Sequence, residues 1–122
     1  MRVIIAGSSS IRDPALVARA VEESGFAPST VISGAQKSYD PVTRTYFGAD
    51  YLGERWAEAR NIPIERFPAL WRYGKGAGMH RNSSMVARAH ALIAIWDGSS
   101  PGTRDVLAKA RAAELQVFVL RT

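Results

Sequence analysis

Short runs of apolar residues alternate along the chain with longer stretches whose apolar residues recur every three or four positions. An uninterrupted apolar run is typical of a strand covered on both faces, and the longer spacing is typical of an amphipathic helix. Repeated in this order, the two patterns predict βα units around a mostly parallel sheet. We expect five strands, at Arg2–Ala6, Thr30–Ser33, Ile62–Phe67, Leu92–Trp96 and Val117–Leu120.

Four helices are predicted between these strands. Asp13-Pro14 is a helix start with proline at the first position, and Gly25 ends that helix. The other helices are expected over Ala49 to about Arg60, about Gly78 to Ala89, and Thr103 to Ala113. Because crossovers between parallel strands are nearly always right-handed, this order predicts a three-layer, Rossmann-like α/β sandwich.

One stretch, Gln36–Phe47, follows neither pattern and is polar and aromatic. We predict an irregular loop there, because it is too long for an ordinary βα turn, and loops of that length are usually functional or disordered. Its mixture of tyrosines with Lys37 and Arg44 suits a segment that covers an anionic ligand or a neighbouring subunit.

The composition narrows the class of protein. At 122 residues and 47% hydrophobic, the chain suits one domain, residues 1–122. The net charge of +5 favours anionic partners, although dispersed basic residues are equally typical of an ordinary surface. Without cysteine there is no disulfide and no thiolate site, which fits a reducing cytoplasm. No run is long enough for a signal peptide or a membrane span, so we expect a cytoplasmic protein that does not enter the membrane.

The carboxyl ends of the predicted strands carry the candidate site. In an open parallel sheet the ligand lies outside those ends. The most informative end is Asp97–Thr103, where an apolar strand meets a Gly/Ser-rich turn that opens a helix, an arrangement that favours phosphate. The residues predicted to contact a ligand are Gly7, Ser8, Ser9, Gly34, Ala35, Asp50, Trp71, Arg81, Asn82, Asp97, Gly98, Ser99, Ser100, Gly102 and Thr103.

Several of these side chains have a second interpretation. Arg81 can fork onto a phosphate, but is equally typical of a solvated helix surface. Asp105 can act as a general acid or base or bind ribose, or it can complement the helix dipole. Asp97 can cap its own turn. Trp71 and Tyr73 can stack on a base or lie in a loop without function. His80 has no second histidine or acid at ligand spacing, so we predict no metal and no cofactor.

An ordered set of short motifs resembles a known family. The motifs are Val3–Ser8, Ser33–Ala35, Gly48–Asp50, Glu54–Ala57, Phe67–Ala69, Gly74–Gly78, Arg81–Met85 and Trp96–Asp105. Together they cover essentially the whole chain and are similar to the YspA-like branch of the SLOG superfamily. That superfamily is Rossmann-like and includes the Lonely Guy phosphoribohydrolases, which cut the N-glycosidic bond of nucleoside 5′-monophosphates. The resemblance implies a nucleotide-derived ligand.

Two motifs of the phosphoribohydrolases have altered counterparts here. Pro101–Asp105 is similar to the phosphate motif Gly-Gly-x-Gly-Thr-x-x-Glu, with Asp105 at or one position before the catalytic Glu. Met79–Asn82 is similar to Met-x-x-Arg-Lys, with Asn82 in place of Lys. The segment Gln36–Phe47 also separates two elements that the family joins closely. The resemblance therefore implies phosphate and ribose binding, and leaves hydrolysis open.

The sequence is interpreted as a sensor, sequestering or processing protein for a nucleoside phosphate or an NAD/ADP-ribose-type ligand. The phosphate is expected on Gly98–Thr103, with Arg81 as counter-charge and Gly7–Ser9 and Gly34 framing the ribose. One alternative is a phosphoribohydrolase that uses Arg81 and Asp105. Another is a module for single-stranded nucleic acid, which the lack of a basic and aromatic stripe disfavours.

We also predict assembly as a homodimer or tetramer. The reasons are the edge position of the ligand crevice and a face of small residues that includes Met85, Ala87 and Ala91.

Overall fold

The computed structural model describes residues 1–122, which form seven strands, four α-helices and one short 3₁₀ helix. In chain order the elements are β1 (Arg2–Gly7), α1 (Pro14–Ser24), β2 (Thr30–Ser33), β3 (Ser38–Asp40), β4 (Thr45–Phe47), α2 (Ala49–Ala59), β5 (Ile64–Arg66), the 3₁₀ helix (Trp71–Tyr73), α3 (Ala77–Ala87), β6 (Ala91–Trp96), α4 (Pro101–Ala112) and β7 (Gln116–Arg121). None of the helices is long and apolar enough to cross a membrane.

Five of the strands form one parallel sheet, in the order β5-β2-β1-β6-β7. The chain moves outward from β1 through β2 to β5, then returns to the other side of β1 and moves outward through β6 to β7. The strand order therefore reverses between β1 and β6. Open α/β sheets bind ligands at such a switch point, because the helices diverge there and leave a crevice. The predicted Rossmann-like sandwich with a parallel five-stranded sheet is confirmed.

Helices cover both faces of this sheet, which explains the uninterrupted apolar runs. Along β1, Val3 and Ile5 belong to the core beneath α1 and α2, whereas Ile4 and Ala6 belong to the core beneath α3 and α4. Successive strand residues point to opposite faces, so a strand buried on both faces needs apolar residues at every position. All four of these residues are at most 6% exposed.

The predicted face of small residues for subunit assembly is wrong for two of its three residues, because they are buried within the chain. Met85 is 2% exposed and Ala91 is fully buried within this chain, so neither is on a surface that a second copy could reach. Met85 packs into the core beneath α3 and α4, and Ala91 begins a central strand. Only Ala87 of the three is exposed.

The stretch predicted to be an irregular loop instead contains an antiparallel hairpin of β3 and β4. Its turn is held by Asp40, whose carboxylate accepts the N–H of Val42 at 2.9 Å. The pKa of Asp40 is lowered, first by that backbone hydrogen bond. Tyr39 and Tyr46 face each other across the two strands at 5.0 Å between ring centroids. Three-residue strands are too short to show an alternating pattern, and the prediction of an irregular loop was wrong for that reason.

The start of α4 differs from the prediction by two residues, and the difference affects the candidate site. The helix begins at Pro101 rather than Thr103, directly after Ser100. Proline suits the first helical position because its missing N–H would have no helical partner there. Gly102 and Thr103 consequently lie inside the first turn, where backbone N–H groups have no acceptor within the helix.

Candidate ligand-binding cleft

A cleft of about 200 Å³ opens at the switch point, between the carboxyl ends of β1 and β6. Its walls come from both sides of the sheet, the first turn of α4, the middle of α3 and the start of α2. The lining residues are Ala6, Gly7, Ser9, Gln36, Asp50, Arg81, Asn82, Met85, Ser100, Pro101, Gly102, Thr103 and Val106. The predicted position of the site at the strand ends therefore coincides with a cavity in the structure.

Gly7 allows the two central strands to lie this close at the floor of the cleft. A Cβ added there would sit 2.0 Å from the carbonyl oxygen of Ile95 and 2.9 Å from the Cβ of Ala49. Both neighbours belong to packed elements that cannot move aside. Glycine is thus required here for packing, and its lack of a side chain also leaves the cleft floor open.

One group of polar residues near the cleft is occupied with internal hydrogen bonds. The carboxylate of Asp97 accepts the N–H groups of Ser99 and Ser100, each at 2.8 Å, and the hydroxyl of Ser100 at 2.9 Å. Ser8 is fully buried, and its hydroxyl accepts the N–H of Asp97 at 3.0 Å. These hydrogen bonds, led by those from Ser99 and Ser100, hold the pKa of Asp97 far below its usual range. We call Ser8, Asp97, Ser99 and Ser100 the turn network.

The turn network restricts where a phosphate can bind. The N–H groups of Ser99 and Ser100 lie within the segment predicted to hold the phosphate, but the carboxylate of Asp97 already accepts them. Gly98, the first residue of that segment, packs against the guanidinium of Arg121. Within the predicted phosphate segment, Gly102 and Thr103 are the residues that both keep unused N–H donors and line the cleft.

A second group of residues has hydrogen-bond donors without an acceptor in the protein. The N–H groups of Gly102 and Thr103 donate to no acceptor in the protein, and neither does the hydroxyl of Thr103. Thr103 is only 4% exposed and lines the cleft. The residue is mostly buried, but its hydroxyl oxygen opens to the cleft, since no fully buried side-chain polar atom lacks a hydrogen-bond partner. An unbonded hydroxyl that opens into a cavity is available to donate to a ligand. Ser9 also lines the cleft and forms no hydrogen bond within the protein. We call Ser9, Gly102 and Thr103 the donor set.

Arg81 of α3 lies across the cleft from the first turn of α4 and is held in place by hydrogen bonds. It donates to the carbonyl oxygen of Gly34 at 2.5 Å, to Oδ1 of Asn82 at 2.9 Å and, at 3.5 Å, to Oε1 of Gln36. A guanidinium carries five N–H donors, so two remain for a ligand. Gly34 is required by this arrangement, since a Cβ there would lie 2.6 Å from Nη1 of Arg81 and 2.8 Å from the carboxylate of Asp50.

Asp50 is the only acid that lines the cleft. It lies in the first turn of α2, and its carboxylate accepts the N–H of Gln36 at 3.2 Å. Burial raises the pKa of Asp50 to about 6, while the charge of Arg81 and the Gln36 N–H act in the opposite direction. The nearby carboxylate of Glu54 adds to the rise. The cleft therefore contains an acid that titrates near neutral pH, beside an arginine.

Asp105, the other candidate acid, is engaged between α3 and α4. Its carboxylate accepts the amide N–H of Asn82 at 3.0 Å and forms an ion pair with Lys109 at 2.9 Å. Asn82 is 4% exposed and also donates to the carbonyl oxygen of Gly102 at 3.2 Å. Asp105 does not line the cleft, and this chain of contacts ties the first turn of α4 to α3. It thereby fixes the distance between Arg81 and the donor set.

A second, larger cavity of about 600 Å³ lies on the other side of Arg81. Phe67, Pro68 and Leu70 after β5 form its apolar wall, and Tyr73 and His80 stand at its rim. Of the two aromatic residues predicted to stack on a base, Tyr73 lines this cavity. Trp71 is 56% exposed and packs against Gly78, outside the cavity lining. The apolar wall was missed because Phe67-Pro68 follows a short edge strand and has no periodic pattern.

The predicted contact residues fall into three groups by location: in the cleft lining, in or next to the turn network, and outside the cleft. Those that line the cleft are Gly7, Ser9, Asp50, Arg81, Asn82, Ser100, Gly102 and Thr103. Ser8, Asp97, Gly98 and Ser99 belong to or adjoin the turn network behind it. Gly34, Ala35 and Trp71 do not line the cleft. Gly34 accepts a hydrogen bond from Arg81, and Ala35 lines a separate cavity of about 390 Å³. Gln36, Met85 and Val106 line the cleft without having been predicted, and their residue types give no signal of a site.

Fold and cleft together define this protein as an α/β sandwich with a polar crevice at its switch point. Searches of protein-family models, curated proteins and solved structures found no match to the chain. No three His, Cys, Asp or Glu side chains lie close enough together to hold a metal ion.

Proposed function

We propose that the protein binds a phosphorylated, nucleotide-derived small molecule in the cleft between β1 and β6. The observation that carries the proposal is the donor set, in which two backbone N–H groups and the unbonded hydroxyl of Thr103, which opens to the cleft, meet at one end of it. The resemblance to the SLOG superfamily supports the same ligand class.

The phosphate is assigned to the first turn of α4. There the N–H groups of Gly102 and Thr103 point along the helix axis, and the helix dipole adds positive potential. Arg81 supplies the counter-charge from the opposite wall through its two remaining N–H groups. The predicted phosphate segment, Gly98–Thr103, is thereby narrowed to its last two residues, because the turn network uses the donors of Ser99 and Ser100.

Gly102 provides the test with the least risk to the fold. A Cβ at Gly102 meets no atom within 4 Å, and the residue is exposed, so Gly102→Val leaves the protein folded. The added methyl groups obstruct the approach of a phosphate to the N–H groups of residues 102 and 103. We expect calorimetry with ribose 5-phosphate to show binding to the wild type and at least about tenfold weaker binding to Gly102→Val.

Ala108→Val is the matched control, since Ala108 is an exposed residue of the same helix outside the cleft. It should bind ribose 5-phosphate like the wild type. Equal affinity in wild type and a folded Gly102→Val would contradict the proposed phosphate position. No binding of ribose 5-phosphate or of any nucleoside monophosphate to the wild type would contradict the proposed function.

A second candidate function is hydrolysis of the N-glycosidic bond of a nucleoside monophosphate. Asp50 favours it, because a carboxyl with a pKa of about 6 inside a cleft can take a proton from an attacking water at neutral pH. Asp105 is less suited to that role, since Lys109 and Asn82 engage it outside the cleft. The experiment is to incubate the protein with nucleoside monophosphates and to measure the released free base by chromatography. If the wild type releases base, and Asp50→Asn abolishes that release while Asp105→Asn retains it, Asp50 is the catalytic base. If the wild type releases no base, hydrolysis is contradicted and the binding function remains.

A further inference from the structure

We infer that the 600 Å³ cavity beside the cleft binds the base of the same ligand and selects a 6-oxopurine over adenine. This inference rests on the proposed function, because it places the phosphate at the donor set and extends the ligand past Arg81. It names the base class, which the cleft alone does not determine.

The sizes of the two cavities indicate that they are used together. Cavities that bind small molecules usually measure about 300 to 1,000 Å³. The cleft, at about 200 Å³, holds a phosphate and a sugar but not a base as well. The neighbouring cavity is about 600 Å³, and Arg81 lines both. A nucleoside monophosphate carries its phosphate and base at opposite ends of one ribose, so it can occupy the two spaces across Arg81.

The walls of the larger cavity suit a flat aromatic ring. Phe67 is half-buried, while Leu70 is 49% and Tyr73 is 71% exposed. Apolar side chains that stand open around a cavity lose their contact with water when a planar ring is placed between them. Ring stacking on an aromatic side chain is tolerant of base identity, so the walls explain binding of a base but not selection.

We assign the discrimination between 6-oxopurines and adenine to the charged and titratable side chains at the rim of this cavity. Arg66, Arg81 and His80 line the cavity, and no carboxylate does. Arg66 is partly engaged, since its Nε donates to Glu54 at 2.8 Å. His80 forms hydrogen bonds through its backbone only, so its imidazole is free. The free N–H groups of Arg81 are assigned to the phosphate, so Arg66 is the arginine available to the base. An arginine pairs well with the O6 and N7 acceptors of guanine or hypoxanthine. Adenine presents an amino group in place of O6, and a rim of cationic groups leaves that donor without an acceptor.

The test uses ligands and variants that separate the two cavities. Calorimetry with ribose 5-phosphate reports the phosphate cleft alone, whereas inosine and adenosine 5′-monophosphate differ chiefly at position 6 of the purine. For the wild type we expect inosine monophosphate to bind about tenfold more tightly than either of the other two ligands. Tyr73→Ala should lower its affinity and leave that of ribose 5-phosphate unchanged. His80→Glu adds a carboxylate to the rim and should shift the preference toward adenosine monophosphate.

Tyr39→Ala is the control, because Tyr39 is a half-exposed tyrosine of the hairpin, outside both cavities. It should leave all three affinities unchanged. Equal binding of the two nucleotides, or binding no tighter than that of ribose 5-phosphate, would overturn the inference while the proposed phosphate cleft stands. Absence of binding by all three ligands would overturn the inference and the proposed function together.

Discussion

Two groups of small polar residues lie at the ends of β1 and β6, and they differ in what they bind. The turn network, Ser8, Asp97, Ser99 and Ser100, hydrogen-bonds to itself and shapes the turn after β6. The side-chain and backbone donors of the donor set, Ser9, Gly102 and Thr103, have no acceptor within the protein, and these residues line the cleft. Neighbouring Gly and Ser residues of the same strand-end motif therefore differ in their hydrogen bonding, since one group shapes the turn and the other leaves its donors open to the cleft.

Disrupting the turn network should have the largest effect. Asp97→Ala removes the acceptor for the N–H groups of Ser99 and Ser100, so the turn loses its shape and the first turn of α4 loses its position. We expect a clear fall in the urea midpoint of unfolding together with loss of ribose 5-phosphate binding. A variant with wild-type stability and affinity would show that the network does not hold the turn.

The same substitution has a defined pH dependence. Because hydrogen bonding depresses the folded-state pKa of Asp97, its ionised carboxylate stabilises the fold at pH values above the unfolded pKa of 3.8. The contribution is lost as the pH falls below that value toward the folded pKa. The difference in urea midpoint between wild type and Asp97→Ala should therefore persist from pH 7 to about 4 and shrink below that. Glu114→Ala, at an exposed acid outside the site, serves as the control.

Asp50 should show the opposite pH dependence. Its folded-state pKa is raised, so the neutral carboxyl stabilises the fold fully below pH 3.8, and that contribution is lost as the pH rises through about 6. Asn cannot ionise and keeps the acceptor for the Gln36 N–H. Between pH 4 and 7 the free energy of unfolding of Asp50→Asn should rise relative to wild type by about 2 kcal/mol.

The affinity of Asp50→Asn for ribose 5-phosphate gives a second, independent test of the charge on Asp50. At pH 7.5 the ionised Asp50 repels a phosphate in the cleft, so Asp50→Asn should bind ribose 5-phosphate more tightly than wild type does. Parallel urea titrations and calorimetry measure the two effects. A constant stability difference across the pH range would contradict the raised pKa.

Thr103→Val should give the smallest and most specific effect. It removes a hydroxyl that has no partner in the protein and preserves the shape of the side chain. Stability should therefore change little, whereas ribose 5-phosphate should bind about five- to tenfold more weakly because one hydrogen bond to a charged group is lost. Thr30→Val makes the same change at the amino end of β2, away from the cleft, and should alter neither quantity. If Thr103→Val were less stable and bound ribose 5-phosphate with unchanged affinity, the hydroxyl of Thr103 would have a structural role and no role in binding.

The fold could be predicted from the sequence because its signals are local. Each central strand is a contiguous apolar run, and Val3 through Ala6 alternate between two covered faces without any polar residue. The hairpin could not be predicted, because Ser38–Asp40 and Thr45–Phe47 are too short for alternation to register. Its stability depends on contacts with other segments, such as the ion pair between Arg12 and Asp40.

The location of the candidate site could be predicted, but not the division of its residues. Small residues at the strand ends place the cleft correctly, since parallel strands end at one edge of the sheet. Which of them bond to each other depends on contacts across the chain, as between Ser8 and Asp97, 89 positions apart, or between Arg81 and Gly34, 47 positions apart. No sequence pattern within one segment carries that information.

The central claim is that the N–H groups of Gly102 and Thr103 receive the phosphate while those of Ser99 and Ser100 stay with Asp97. Amide chemical shifts of ¹⁵N-labelled protein, recorded during titration with ribose 5-phosphate, measure all four groups at once. Large downfield proton shifts of Gly102 and Thr103, with Ser99 and Ser100 almost unmoved, are the predicted result. Shifts concentrated at Ser99 and Ser100, or confined to residues outside the cleft, would contradict it.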